Sequence, residues 1–209
     1  MTLLSIFQIL LYRYTGQNKI VVGSPVANRH YQEIEGLIGF FVNTLALKTT
    51  FKGNESFLEL LNQVRETTLQ AYQHQDVPFE QLVDYLNVER TLNRNPVFQV
   101  LFALQNAAVS DEFLKLEGIE VSPIFADNSI SKFDLSISAS EYQDGIDVFF
   151  EYATDLFEED TIKRIAEHFE RIIEVIIDNP LSTVNSISFL TPMECKKIFV
   201  CLLYTSPSP

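Results

Sequence analysis

Apolar residues recur along this chain in two rhythms, one every third or fourth residue and one every second. Leu3, Ile6, Leu10 and Leu11 fall at helical spacing and stop near Tyr14-Thr15-Gly16, which predicts an opening helix. Ile20-Val21-Val22, closed by Gly23-Ser24-Pro25, predicts a short buried strand. From Phe41 the pattern alternates. Phe41, Asn43, Leu45 and Leu47 share one face, and Val42, Thr44, Ala46 and Lys48 the other. Ser56-x-x-Glu59 is a capping box ahead of Phe57, Leu60, Leu61, Val64, Thr68, Ala71 and Tyr72, an amphipathic helix. Asp76 at the cap and Pro78 in the first turn predict a second, shorter helix through Leu82, Val83 and Leu86.

After a polar loop from Glu89 to Pro96, Phe98, Val100, Phe102 and Leu104 predict a further strand. Phe133 to Ala139 and Ile146 to Tyr152 alternate around Gln143-Asp144-Gly145, a hairpin signal. A long stripe of Ile162, Ile165, Ala166, Phe169, Ile172, Ile173, Ile176 and Ile177 predicts a helix stopped by Asp178-Asn179-Pro180. Thr191-Pro192-Met193-Glu194 starts a last one by the same cap logic. Strands and helices interspersed without strict βαβ regularity predict a mixed α/β fold.

Composition narrows the function classes. The chain has 209 residues, 46% of them hydrophobic, enough for one domain or one lobe with a sizeable core. Its formal charge of −13 argues against nucleic-acid or anionic-membrane partners, which need a positive face. Residues 111–160 hold fourteen acids against Lys115 and Lys132, so nearly all the net charge lies there. That segment reads either as a solvated sheet face or as an acidic docking surface. No apolar run approaches the ~20 residues of a membrane span. The two cysteines, Cys195 and Cys201, exclude a disulfide scaffold and point to a reducing, cytoplasmic setting.

Candidate chemistry is sparse. His30, His74 and His168 lack a second ligand at metal spacing, so no metal site is expected. Ser24 lacks the glycine spacing of a nucleophile elbow, and Gly36-x-x-Gly39 lacks the residues of a phosphate loop. No residue is assigned as catalytic. Asn43 breaks the apolar pattern of its face. A buried amide must be hydrogen-bonded, and it either satisfies nearby backbone or lines a substrate channel. His74-Gln75-Asp76-Val77-Pro78-Phe79-Glu80 packs polar groups into a helix-to-helix turn, which reads either as a capped turn fixing the helix angle or as a chemical site.

At these residues the sequence becomes recognisable. Ile38-Gly39-Phe40-Phe41-Val42-Asn43-Thr44, then His74 to Glu80, then Arg90-Thr91-Leu92-Asn93-Arg94-Asn95-Pro96 resemble, in order, the later motifs of nonribosomal peptide synthetase condensation domains. Thr91 and Asn93 stand where that family usually carries Asp and Ser. Val22 to Arg29, Lys132-Phe133-Asp134-Leu135 and Tyr152 to Phe157 also look like the family. The resemblance marks Gly39, Phe41, Thr44, His74, Gln75, Asp76, Pro78, Phe79, Glu80, Arg94, Asn95 and Pro96 as motif positions and Asn43 as a tunnel-lining candidate.

The resemblance implies one chloramphenicol-acetyltransferase-like lobe, a mixed sheet with packed helices, forming the second half of a two-lobed domain with a tunnel between the lobes. In that family, carrier proteins deliver thioester-bound substrates on phosphopantetheine arms, with no cofactor held directly, and an acceptor amine attacks a donor thioester. The family's motif His-His-x-x-x-Asp-Gly belongs to the first lobe and does not occur here: Ala139 and Ser140 stand where histidines would precede Asp144-Gly145. The expected organisation is therefore a C-terminal lobe over 1–190, the start of a linker toward an adenylation domain over 191–199, and a foreign or divergent tail over 200–209. The lobe is expected to be inactive alone. Its expected partners are the first lobe, peptidyl carrier proteins and the adenylation domain. The competing readings are a non-catalytic carrier-binding module and half of another CoA-dependent acyltransferase.

Overall fold

Seven consecutive residues, Leu4 to Leu10, are buried in the first helix, α1 (Thr2–Thr15), which puts it at the centre of the molecule. The structure, a computed structural model, describes residues 1–29, 31–88, 94–105, 130–142 and 145–203. Gly16 ends α1 in the left-handed conformation (φ 67°), its N–H donating to Tyr12 O.

Five strands form one mixed sheet in the order β2-β1-β3-β4-β5. They are β1 (Lys19–Val26), β2 (Asn43–Thr50), β3 (Val100–Gln105), β4 (Leu135–Tyr142) and β5 (Gly145–Tyr152). The outer pairs are antiparallel, β1–β2 in register from Lys19↔Thr50 to Val26↔Asn43 and β4–β5 from Leu135↔Tyr152 to Tyr142↔Gly145. β3 runs parallel to both its neighbours. The remaining helices are α2 (Gln32–Glu35), α3 (Phe57–Gln73), α4 (Phe79–Leu86), α5 (Glu159–Asp178) and α6 (Pro192–Leu203). The fold is mixed α/β, as the interspersed patterns predict.

One core joins α1, α3 and α5 to a single sheet face. Phe7, Val22, Leu60, Ile137 and Ile172 are all fully buried in it. Each such side chain contributes roughly 1.5–3 kcal/mol relative to exposure. Thr49 of β2 donates to Gln8 Oε1 at 2.9 Å, tying the edge strand to α1. The other face is met at Gly23, which falls between inward-facing Val22 and Ser24 on the strand. A Cβ there would lie 2.1 Å from the Phe98 ring, so only glycine lets that ring cross β1. Phe98 stacks in turn between Phe79 and Phe133, at 5.3 and 5.7 Å between centroids.

Several boundaries differ from the sequence expectation. β1 runs on through Gly23-Ser24-Pro25 to Val26, because the antiparallel ladder with β2 carries it. β2 begins at Asn43 rather than Phe41, since Val26↔Asn43 is the last pair and the strands part beyond it. Ile177 is 74% exposed: it lies one residue round the helix from Ile176, which keeps the core-facing position at 6%. α6 starts at Pro192, as the cap signal predicts, and runs to Leu203. His30, residues 89–93, the first part of the acidic segment (residues 111–129) and the hairpin tip Gln143-Asp144 lie outside the described residues.

Candidate functional site

Beyond Val26↔Asn43 the chain between β1 and β2 makes a long loop, and one side chain organises it. Arg29 Nη1 donates to the carbonyl oxygens of Ile34, of Glu35 at 3.1 Å and of Leu37 at 2.8 Å. Its guanidinium also lies 4.3 Å from the Phe41 ring centroid, a cation–π geometry. Phe41 folds back over Gly39, where a Cβ would come within 2.8 Å of the ring. The loop is therefore built inward on Arg29 and Phe41, while Ile38 and Phe40 point out, 105% and 94% exposed.

Asn43 then ties this loop to the next motif. Its Nδ2 donates to Gln75 O at 2.7 Å and Val77 O at 2.8 Å, and its Oδ1 accepts from Phe79 N at 3.2 Å. A primary amide has two N–H donors and one acceptor oxygen, and backbone groups match all three. The bond to Phe79 N satisfies one of the orphan N–H groups at the start of α4. This corrects the expected cap position: Pro78, not Asp76, is the N-cap residue, it has no side-chain bond of its own, and Asn43 of β2 supplies an acceptor oxygen to the first helical N–H. The polar turn is thus built by a residue 32 to 36 positions earlier in the chain.

A cleft of about 280 Å³ opens where these segments meet. Phe40, Phe41, Val42, Asn43 and Thr44 form one wall; Asp76, Pro78, Phe79 and Glu80 form the other, with Asn28 at the end. Asn28 holds φ 52°, a left-handed turn that asparagine tolerates. The described lining includes two asparagines, a threonine, two acidic residues and aromatic surface, with the Asn43 amide already engaged by backbone. Among the described residues no group of three metal-ligating side chains comes together.

The other motif positions lie nearby but outside the cleft. His74 caps the C-terminus of α3 through its backbone, and its carbonyl accepts from Val77 N at 3.1 Å. Arg94 is exposed. Asn95 Nδ2 donates to Lys132 O at 3.3 Å, and Gln99 Nε2 returns to Asn95 O at 3.0 Å. Asp134 N donates to Gln99 O and Asp134 O accepts from Ala153 N, so the strand entrances are stitched together. Pro96 sits half-buried just before Phe98, whose ring meets Phe79 of the second motif. Sequence reasoning passed over the role of Arg29. A basic residue shortly beyond a strand, with Gly39 and Phe41 following, was the available signal.

The same mixed α/β fold occurs in solved structures from nonribosomal peptide synthesis. The chain superposes on a four-domain nonribosomal peptide synthetase bound to AMP and glycine with a TM-score of 0.84 at 21% identity, over 93% of this chain and 16% of that one. It superposes on the X-domain from teicoplanin biosynthesis with a TM-score of 0.82 at 26% identity, over 90% of this chain and 43% of that one. The chain belongs to the condensation-domain family, whose model (Condensation domain) matches residues 1–199. It is 48% identical over 201 residues to a linear gramicidin synthase of Brevibacillus parabrevis, a match that covers 95% of this chain and 3% of that protein. It is 43% identical over 194 residues to a plipastatin synthase of Bacillus subtilis (strain 168), over 93% of this chain and 5% of that one. The chain therefore spans a few per cent of the length of these relatives. Among the described residues no helix is long and apolar enough to cross a membrane.

Proposed function

We propose that this chain is the C-terminal lobe of a peptide-bond-forming condensation domain in nonribosomal peptide synthesis, and that the Asn43 cleft is part of its substrate tunnel. The carrying observation is Asn43 itself, which fastens two family motifs to each other along one cleft. The synthetases among its relatives support the reading. In the proposed reaction an acceptor amine nitrogen attacks the carbonyl carbon of a donor thioester. A C–N bond forms, the C–S bond breaks, the donor arm leaves as its thiol and the amine gives up a proton. No residue of this chain is assigned to that proton; the histidine pair that the family uses lies in the first lobe. The role of this lobe is to hold two carrier-borne arms in line, because positioning two reactants supplies much of such a barrier. The carriers bring phosphopantetheine arms, and the lobe itself binds no cofactor. An adenylation domain following α6 is the proposed neighbour.

The test is reconstitution. Asn43→Ala in a whole domain containing this lobe is expected to slow dipeptidyl transfer more than it lowers Tm. A Tm collapse with unchanged activity per folded molecule would make Asn43 a structural residue only. A second reading, a non-catalytic recruiting module, is favoured by one likeness: an X-domain of the same fold was solved in complex with OxyB. A whole domain that binds loaded carriers but never turns over would support that reading instead.

A further inference from the structure

The most buried titratable side chain described outside the cleft is His168 of α5, 3% exposed. Its Nε2 lies 2.7 Å from Glu194 Oε2 and its Nδ1 2.6 Å from Tyr14 Oη. A carboxylate only accepts, so Nε2 carries the proton and, in the neutral ring, Nδ1 accepts from the Tyr14 hydroxyl. Glu194 lies in the first turn of α6. The same oxygen also accepts from Thr191 N at 2.9 Å and Thr191 Oγ1 at 3.0 Å, closing a capping box. Burial works against ionising Glu194, yet the hydrogen bonds from His168 and Thr191 outweigh it and hold its carboxyl below the ordinary carboxylate value. Phe189, in the segment entering α6, packs edge-on against His168 at 5.1 Å and against Tyr14 at 5.9 Å. The Arg13 guanidinium lies over the Phe189 ring, 5.0 Å from its centroid. Among the described side chains of α6, Met193, Ile198 and Phe199 are exposed, the first and last at 81% and 65%.

We propose that the Tyr14–His168–Glu194 relay is a latch that fixes α6 against α1 and α5, so that the chain leaves the lobe along a set direction. His168 is its positioning residue. The consequence for a following domain rests on the proposed function, but the latch does not. Charge-assisted bonds of this kind shift a local opening equilibrium by about ten- to a hundredfold. Hydrogen–deuterium exchange of the 209-residue chain tests it, reading the amides of 193–199 against those of α1 and central α5. Glu194→Ala, His168→Leu and Tyr14→Phe should each speed exchange in 193–199, the first two by about tenfold or more, with central α5 much less affected. Thr191→Ala, which spares the relay, should do less than Glu194→Ala. Exchange in 193–199 as fast as in an unfolded peptide would overturn the latch. So would Thr191→Ala releasing α6 as fully as Glu194→Ala. If His168→Leu perturbs the whole core, Tyr14→Phe decides: unchanged exchange in 193–199 there would leave His168 an ordinary core residue.

Discussion

Arg13 and Arg29 make the same device in two places. Each gives one Nη1 to three nearby backbone carbonyls and lays its guanidinium on a phenylalanine: Arg13 on Val184, Asn185 and Ile187 beside Phe189, Arg29 on Ile34, Glu35 and Leu37 beside Phe41. What surrounds them differs. Val184 and Ile187 are fully buried, and the Arg13 region closes on the core. The Arg29 loop instead turns Ile38 and Phe40 outward. Equal local chemistry therefore serves two ends: one clamp seals a self-sufficient region, the other shapes a loop whose apolar side is left uncovered.

Breaking the sealed clamp should cost most. Arg13→Ala removes two partly buried carbonyl bonds, one exposed one and a ring contact, and a loss of about 2–4 kcal/mol is expected, read as a lowered urea midpoint. Arg13→Lys should recover little, because one ammonium cannot fan out to three carbonyls as a guanidinium does. Arg29→Ala should cost only about 1–2 kcal/mol globally, because its loop has little core to lose, yet should open residues 31–42 to limited proteolysis. An equal loss at both arginines would erase the distinction. Asn43→Asp is expected to cost about 1–3 kcal/mol, since a carboxylate keeps the bond from Phe79 N but faces the Gln75 and Val77 carbonyls with no donor.

Much of the fold was legible because the responsible signals are local. The Ser56–Glu59 capping box forms as the spacing predicts, with Ser56 N donating to Glu59 Oε2 at 2.7 Å. The alternation of Leu45 and Leu47 and the stripe from Ile162 to Ile176 mark buried faces correctly. The gathering of the motifs was not legible, because it depends on contacts between distant residues. Asn43 looked like a polar break in an apolar face, and nothing near it in sequence tells that its partners lie beyond α3. The partners of His168 are illegible for the same reason: Tyr14 and Glu194 reach it from opposite ends of the chain. The motif pattern alone does not reveal that Asn43 supplies an acceptor to the start of α4.

Smaller effects sharpen the same contrast. Ile38→Ser and Phe40→Ser should leave the stability of this chain within about 0.5 kcal/mol, because their side chains are already solvated. In a whole domain the same pair should weaken assembly, which analytical ultracentrifugation of co-expressed lobes would register. The pH effect is smaller still. Glu194 is held below its ordinary value, so its stabilisation is present above the ordinary carboxylate range and fades as pH falls through the lower folded value. Glu194→Gln should flatten that acid limb in urea midpoints measured from about pH 6 to pH 3.

The central claim is that this lobe shapes a tunnel while the family's histidine motif acts from the other lobe. Donor and acceptor carriers loaded with aminoacyl groups, mixed with this chain, test it by mass spectrometry of the dipeptidyl carrier. A positioned general base contributes ~10²–10⁴-fold, so no product above the protein-free control is expected from this chain alone. Turnover is expected once a first lobe bearing the His-His motif is added. Product from this chain by itself would contradict the account and place a catalytic centre among its own residues.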